Sequence, residues 1–242
     1  MYKYKIFNNI APEGTDYLVK ENFILNEHEP EAILLRSKVL SESNFNEQLL
    51  CIGRAGAGVN NIPIDIASKE GVVVFNTPGA NANAVKELVL CGLLLSSRGI
   101  IQGNSFAKSL MIDEASEFNS KIEKEKKNFK GSELYGKTLG VVGLGAIGSM
   151  VAQSADALGM KLVGYDPYIS IDAAWRLPKE VQKADSIEEL VGCSDFISIH
   201  VPLVDSTKDL ISKDLLKHFK QGSKLINLSR GGIVNNNDVI EA

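Results

Sequence analysis

Residues 138–167 read TLGVVGLGAIGSMVAQSADALGMKLVGYDP. An apolar run leads into Gly143, Gly145 and Gly148, a stretch with helical spacing follows, and a second apolar run closes on Asp166. Between a strand and a helix, GxGxxG has a physical reading. The first glycine permits a tight turn, the second lets the backbone approach a pyrophosphate, and the third lets helix and strand pack closely. The helix N-terminus then offers unbonded N–H groups and a positive dipole end to phosphate. Glycine-rich turns recur in structural loops, but here both flanks fit and an acid follows at the right distance: 166 − 143 = 23 residues, against about 20 for the carboxylate that meets the ribose. The stretch predicts a dinucleotide-binding βαβ unit. Asp166 accepts from ribose hydroxyls and repels a 2′-phosphate, and Pro167, Tyr168 and Ile169 bring no arginine, so NAD is expected over NADP. A solvated Asp166 that caps a turn before Pro167 is the bland alternative.

Outward from this stretch the same grammar repeats. KYKIFN, AILLR, LLCIGR and GVVVFN before it, and FISIHV and KLINLS after it, read as strands, and most of the segments between carry helical spacing. That order predicts an α/β fold with parallel sheets and helices on both faces. NANAVKELVLCGLLLSSRGI reads as a long helix, apolar through its centre. A more polar stretch follows, and a fresh strand starts at Thr138. The boundary is placed at the end of that long helix, with one unit at 1–97 and another at 98–242. The mixed-sign run from Lys121 to Lys130 reads as a solvated helix face or linker rather than a binding site.

Composition narrows the partners. Lys plus Arg total 26 against 30 Asp plus Glu, a net charge of −4, so nothing draws the chain as a whole to nucleic acid or an anionic membrane. Cys51, Cys91 and Cys193 form no CxxC pair and lie in apolar runs, where Cys acts as a small hydrophobe, which fits a reducing, cytoplasmic setting. MYKYKIFNNI lacks the apolar core of a signal peptide, and the apolar run 88–95 is too short to span a bilayer. Small molecules remain the expected ligands.

LINLSRGGIV, residues 225–234, delivers Arg230 to the end of an apolar strand. Ligands of open α/β sheets sit at the carboxyl ends of strands, and a guanidinium pairs bidentately with a carboxylate. By itself such an arginine is as often a structural ion-pair partner.

Taken together, the fingerprint, FISIHVPLVDSTKDLI, LINLSRGGIV, AILLRSKVL, CIGRAGAGVNNIPIDIASKEGVVVFNTPGANANAVKELVL and KGSELYGKTLGVVGLGAIG resemble, in the same order, segments of the NAD-dependent D-2-hydroxyacid dehydrogenases. The resemblance spans nearly the whole chain. It implies two Rossmann/flavodoxin-like domains: a substrate-binding one at 1–97, and an NAD-binding one at 98–242 that is incomplete at its C-terminus. It also implies hydride transfer to and from C2 of a small 2-hydroxy or 2-oxo acid. By resemblance, Arg230 is the catalytic arginine that holds the substrate carboxyl and carbonyl. Ala146 and Ile147 meet the pyrophosphate, Val201, Pro202 and Thr207 form the turn beside the adenosine, and Leu228 and Ser229 lie near the nicotinamide. Arg54, Ala55, Gly56 and Ala57 form the loop that faces substrate and nicotinamide, with Ala57 on the cofactor side. Arg36 and Ser37 resemble a second anion-binding loop, consistent with a phosphorylated substrate. Read from the residues alone, these are polar loop positions after strands.

The reaction needs a general acid, and none of the three histidines fits. His28 lies in the polar loop NEHEP, His218 on the amphipathic KDLLKHFK, and His200 at a strand end that in the family precedes the cofactor turn. The family's catalytic His and its Glu are expected beyond residue 242, so the chain is expected to be inactive. The helix from about Asn83 to Gly99 resembles the family's dimer-forming region, and a homodimer is expected. Alternatives are a reductase of hydroxypyruvate or glyoxylate, and a non-enzymatic NAD-sensing scaffold related to corepressors.

Overall fold

A computed structural model describes residues 1–112 and 114–242. The chain divides into two compact units, Met1–Asn81 and Ala82–Ala242. The first contains β1 (Tyr2–Phe7), α1 (Pro12–Lys20), β2 (Phe23–Leu25), β3 (Ala32–Leu35), β4 (Cys51–Arg54), α2 (Ile64–Lys69) and β5 (Val73–Phe75). Its strands form one parallel sheet in the order β2-β1-β3-β4-β5, the flavodoxin-like winding, which reverses direction between β1 and β3. Ile33, Leu35 and Ile52 are fully buried with Leu40, Leu49, Ile62 and Ala67 in one cluster.

The second unit opens with α3 (Ala82–Ser97), α4 (Ile100–Ser109) and α5 (Ala115–Glu125). There follow β6 (Thr138–Val142), α6 (Ala146–Ala157), β7 (Lys161–Tyr165), α7 (Ile171–Ala174), β8 (Gln182–Lys183), α8 (Ile187–Cys193), β9 (Phe196–Ile199), α9 (Lys213–Leu216), β10 (Lys224–Asn227) and α10 (Asn236–Glu241). The sheet order is β10-β9-β6-β7-β8, again parallel. Counted from β6 this is 5-4-1-2-3, the Rossmann winding with its reversal between β6 and β9. The two central strands carry the most apolar sequences, TLGVV and FISI, because both their faces are covered. Leu139, Val141, Val89, Leu93, Val151 and Phe196 fill one face, and Ile197, Ile199, Leu190 and Ile233 the other.

Helix ends follow local chemistry. Ser186 and Asn235 cap α8 and α10 by accepting from the N–H of Glu189 and Asp238 at 3.2 Å each. α6 stops at Gly159, whose φ of +73° suits a residue without Cβ, while the N–H of Met160 reaches back to the carbonyl of Ala155 at 3.0 Å.

Some expectations shift. α3 packs on the second unit, where Val89 and Leu93 are fully buried among β6, α6 and β9 residues, so the compact units divide at 81/82, one helix before the sequence-based boundary. That helix buries one side only: Leu88 and Leu94 are exposed. The cysteines do not act as core hydrophobes, since Cys91 and Cys193 are exposed and Cys51 only half-buried. The run from Lys121 to Lys130 is a solvated face of α5 and the 3-10 turn after it, with Ile122 and Phe129 turned inward.

Candidate functional site

Every strand of the second unit points its carboxyl end to the same edge, so the turns after β6, β7, β9 and β10 gather there. Gly143, the first turn residue, has φ +89°, and a Cβ on it would lie 2.9 Å from the His200 carbonyl. A Cβ on Gly148 would lie 1.9 Å from the Gly143 carbonyl oxygen, so only glycine lets α6 sit this close to β6. Gly145 is the opposite case: a Cβ there would meet nothing within 4 Å, which leaves open space in front of the turn. The first helical hydrogen bond of α6 runs from Ser149 N–H to Gly145 O at 3.0 Å. The N–H groups of Ala146, Ile147 and Gly148 therefore have no helical partner, and the first turn carries no acid to compete with an anion. Open space, unspent donors and a positive dipole end together fit a pyrophosphate.

Asp166, half-buried at the end of β7, does more than end a strand. Its Oδ2 accepts the N–H of Leu144 at 2.8 Å and its Oδ1 that of Tyr168 at 2.9 Å. The carboxylate thus clamps the glycine turn to the end of β7, and each oxygen keeps further acceptor capacity for a ribose hydroxyl. Leu144 was not legible as a site residue, because its contribution is a backbone N–H.

After β9, the Thr207 hydroxyl donates to the carbonyl of Pro202 at 2.5 Å and accepts the N–H of Val204 at 2.9 Å. Thr207 therefore shapes the turn that Val201 and Pro202 begin. After β10, the Ser229 hydroxyl donates to the carbonyl of Ile199 at 2.7 Å and so ties β10 to β9. Asn227 accepts from Ser229 N–H and donates to the Arg230 carbonyl. The Arg230 side chain is exposed, with one Nη1 bond to the Ser229 carbonyl at 2.9 Å, and Leu228 beside it is partly exposed.

His200 packs differently from a proton donor. Its Nε2 lies 2.9 Å from the fully buried Ser198 hydroxyl, its Nδ1 is buried without a partner, and burial pushes its pKa down to about 4. The ring is neutral at physiological pH. His28 and His218 are exposed.

In the first unit, Arg36 and Ser37 follow β3, and Arg54, Ala55, Gly56 and Ala57 lie at the end of β4 and just after it, again at the carboxyl edge. Arg54 Nε donates to the Arg36 carbonyl at 3.1 Å and links the two loops. Gly56 N–H donates to Thr77 Oγ1 at 2.8 Å, and Asn76 Nδ2 to the Ala57 carbonyl at 2.7 Å. A cavity of about 190 Å³ opens there, lined by Ile10, Leu34, Gly53, Arg54, Ala55 and Phe75 among others. A larger one, about 360 Å³, lies against the loop between β2 and β3 with Glu27 and Glu29 in its wall, and none of the expected site residues line it. Asn8 and Asn61, which hold the Arg36 loop, were not singled out from the sequence.

These features match known proteins. Residues 94–242 fit the NAD-binding domain of the D-isomer specific 2-hydroxyacid dehydrogenases. The chain is 37% identical over 228 residues to D-3-phosphoglycerate dehydrogenase of Methanocaldococcus jannaschii, a match that covers 93% of this chain and 41% of the relative. It is 35% identical over 256 residues to the Bacillus subtilis enzyme of that name, covering 100% and 46%. The chain thus spans less than half the length of these relatives. Among solved structures, NAD+-bound 3-phosphoglycerate dehydrogenase of Entamoeba histolytica is similar with a TM-score of 0.76 at 27% identity, over 99% of this chain and 76% of that one. Holo D-mandelate dehydrogenase of Rhodotorula graminis is similar with a TM-score of 0.80 at 25% identity, over 100% and 77%. With its two windings, its fingerprint turn and these matches, the chain belongs to the D-isomer specific 2-hydroxyacid dehydrogenase family, and its cofactor is NAD.

Proposed function

We propose that the chain is the cofactor- and substrate-binding part of an enzyme that oxidises D-3-phosphoglycerate to 3-phosphohydroxypyruvate. The observation that carries this is that relatives from Methanocaldococcus jannaschii, Bacillus subtilis and Rattus norvegicus, 35–38% identical over most of this chain, share that one enzyme name. Bound NAD supplies a hydride acceptor. In this reading the α6 N–H groups and Gly145 take the pyrophosphate, and Asp166 takes the ribose. Val201, Pro202 and Thr207 border the adenosine, and Leu228, Ser229 and Ala57 the nicotinamide. Arg230 presents its planar fork to the carboxylate and carbonyl of the acid. Arg36 and Ser37, with Arg54, Ala55 and Gly56, serve the anionic remainder of the substrate. None of His28, His200 and His218 is assigned the proton-transfer role: His28 and His218 are exposed, and His200 is buried with its Nε2 on the Ser198 hydroxyl. The exposed side of α3 forms a two-fold homodimer, and the free cysteines suit a cytoplasmic setting.

The test is calorimetry of the NADH-bound chain with 3-phosphohydroxypyruvate, hydroxypyruvate and glyoxylate. Saturable binding of the phosphorylated acid, lost in Arg230→Ala, is expected. Preference for the unphosphorylated acids would favour a reductase, and the absence of Arg230-dependent binding would favour an NAD-sensing scaffold.

A further inference from the structure

Asn8 follows β1 at the point where the winding of the first sheet reverses. Its Oδ1 accepts three successive backbone N–H groups of the loop after β3: Arg36 at 3.4 Å, Ser37 at 2.9 Å and Lys38 at 2.7 Å. Successive N–H groups that converge on one point make an anion-binding concavity. Here the concavity is filled from within by a neutral oxygen. The loop is fixed from its other side as well: buried Asn61 donates through Nδ2 to the carbonyls of Arg36 and Lys38 at 3.3 and 2.7 Å, and Arg54 Nε also reaches the Arg36 carbonyl. Residues 32–41 and 51–61 carry Arg36, Lys38 and Arg54 and no acid.

We infer that Asn8 is a positioning residue that plugs a latent backbone anion site, so that an anionic ligand at this edge is read by the cationic side chains of the loop and not by its N–H groups. The chemistry explains why an amide suits the position. A carboxamide oxygen accepts all three donors at once. Unlike a carboxylate, it brings no negative charge beside the cationic side chains of Arg36 and Lys38. Asn also tolerates the φ of +70° found here. The plug itself stands on these hydrogen bonds. The identity of the ligand as a phosphorylated acid rests on the proposed function, whereas the plug can be tested without turnover and without that ligand.

The probe is inorganic phosphate, followed through the amide resonances of Arg36, Ser37 and Lys38 in the full 242-residue chain. In the wild type none of these amides should show the large, saturating downfield shift of a direct N–H to phosphate bond. In Asn8→Gly, which keeps the left-handed backbone accessible and removes the plug, all three should shift downfield and saturate. Wild-type amides that shift downfield as far as those of Asn8→Gly, or Asn8→Gly amides that do not shift, would overturn the proposal. Asn8→Asp provides a second reading that a merely structural side chain would not move. A carboxylate that accepts the three N–H groups should titrate well below the usual aspartate range and leave the amides silent to phosphate. An ordinary or raised pKa for the introduced carboxyl group would equally overturn it.

Discussion

At the scale of single residues, the three fingerprint glycines make separable demands. Gly145→Ala should fold with unchanged melting temperature, since its Cβ meets nothing within 4 Å, yet bind NAD at least tenfold more weakly, because the methyl enters the proposed pyrophosphate space. Gly148→Ala drives a Cβ to within 1.9 Å of a backbone oxygen, so it should lose about 1–3 kcal/mol or more in chemical denaturation. Asp166→Ala should weaken NAD and narrow its advantage over NADP, read as the ratio of the two dissociation constants; an unchanged ratio would remove the ribose role. His200 links site and stability. Its folded pKa of about 4 lies below the ordinary 6.5. Between those values the unfolded chain binds a proton that the folded chain does not. Stability is therefore full above pH 6.5 and falls as pH drops toward 4, by on the order of 3 kcal/mol. In His200→Gln, denaturation across that window should show a shallower decline. The placement of Asp166, just after β7, and of Arg230, three residues after β10, at the carboxyl edge was legible in the sequence because apolar runs mark where those strands end. Asn8 was not, since its value lies in three N–H groups 28–30 positions away.

At the scale of elements, the central strands and the edge strands β5 and β10 were readable, whereas the edge strands β2 and β8 were not. TLGVV and FISI are buried on both faces and so are apolar throughout, whereas β2 is three residues of FIL and β8 only Gln182–Lys183. An edge pair needs few apolar contacts, so no hydrophobic pattern marks it. α3 was readable as a helix but not as part of the second unit. Its apolar centre served two sides, and only packing shows that Val89 and Leu93 enter the β6–α6 core while Gly92 lies against Ile226. Leu93→Ala should therefore destabilise the second unit by about 2–5 kcal/mol, seen as loss of protection of β6 and β9 amides in hydrogen exchange. If those amides stay protected while only the first unit loosens, α3 belongs with the first.

At the scale of the whole molecule, the exposed side of α3, with Leu88 and Leu94, and the nearby Ile100 and Ile101 form the apolar face on which the proposed homodimer rests. Light scattering at micromolar concentration should give twice the monomer mass, and Leu88→Lys should shift it toward monomer without lowering the melting temperature; a monomeric wild type would remove the proposal. What the sequence by itself determined was the fold class, the parallel order of strands in each half, the fingerprint turn and the family. The first three follow from local periodicity and glycine geometry, which a linear chain displays directly, and the family from the resemblance of its segments, in order, to those of known dehydrogenases. Only the tertiary structure decided the two windings, the allocation of α3, the double clamp of Asp166, the buried neutral ring of His200 and the filling of the Arg36 loop by Asn8. These depend on which distant backbone groups and faces meet, and their hydrogen bonds and burial exist only once strands far apart in sequence lie side by side.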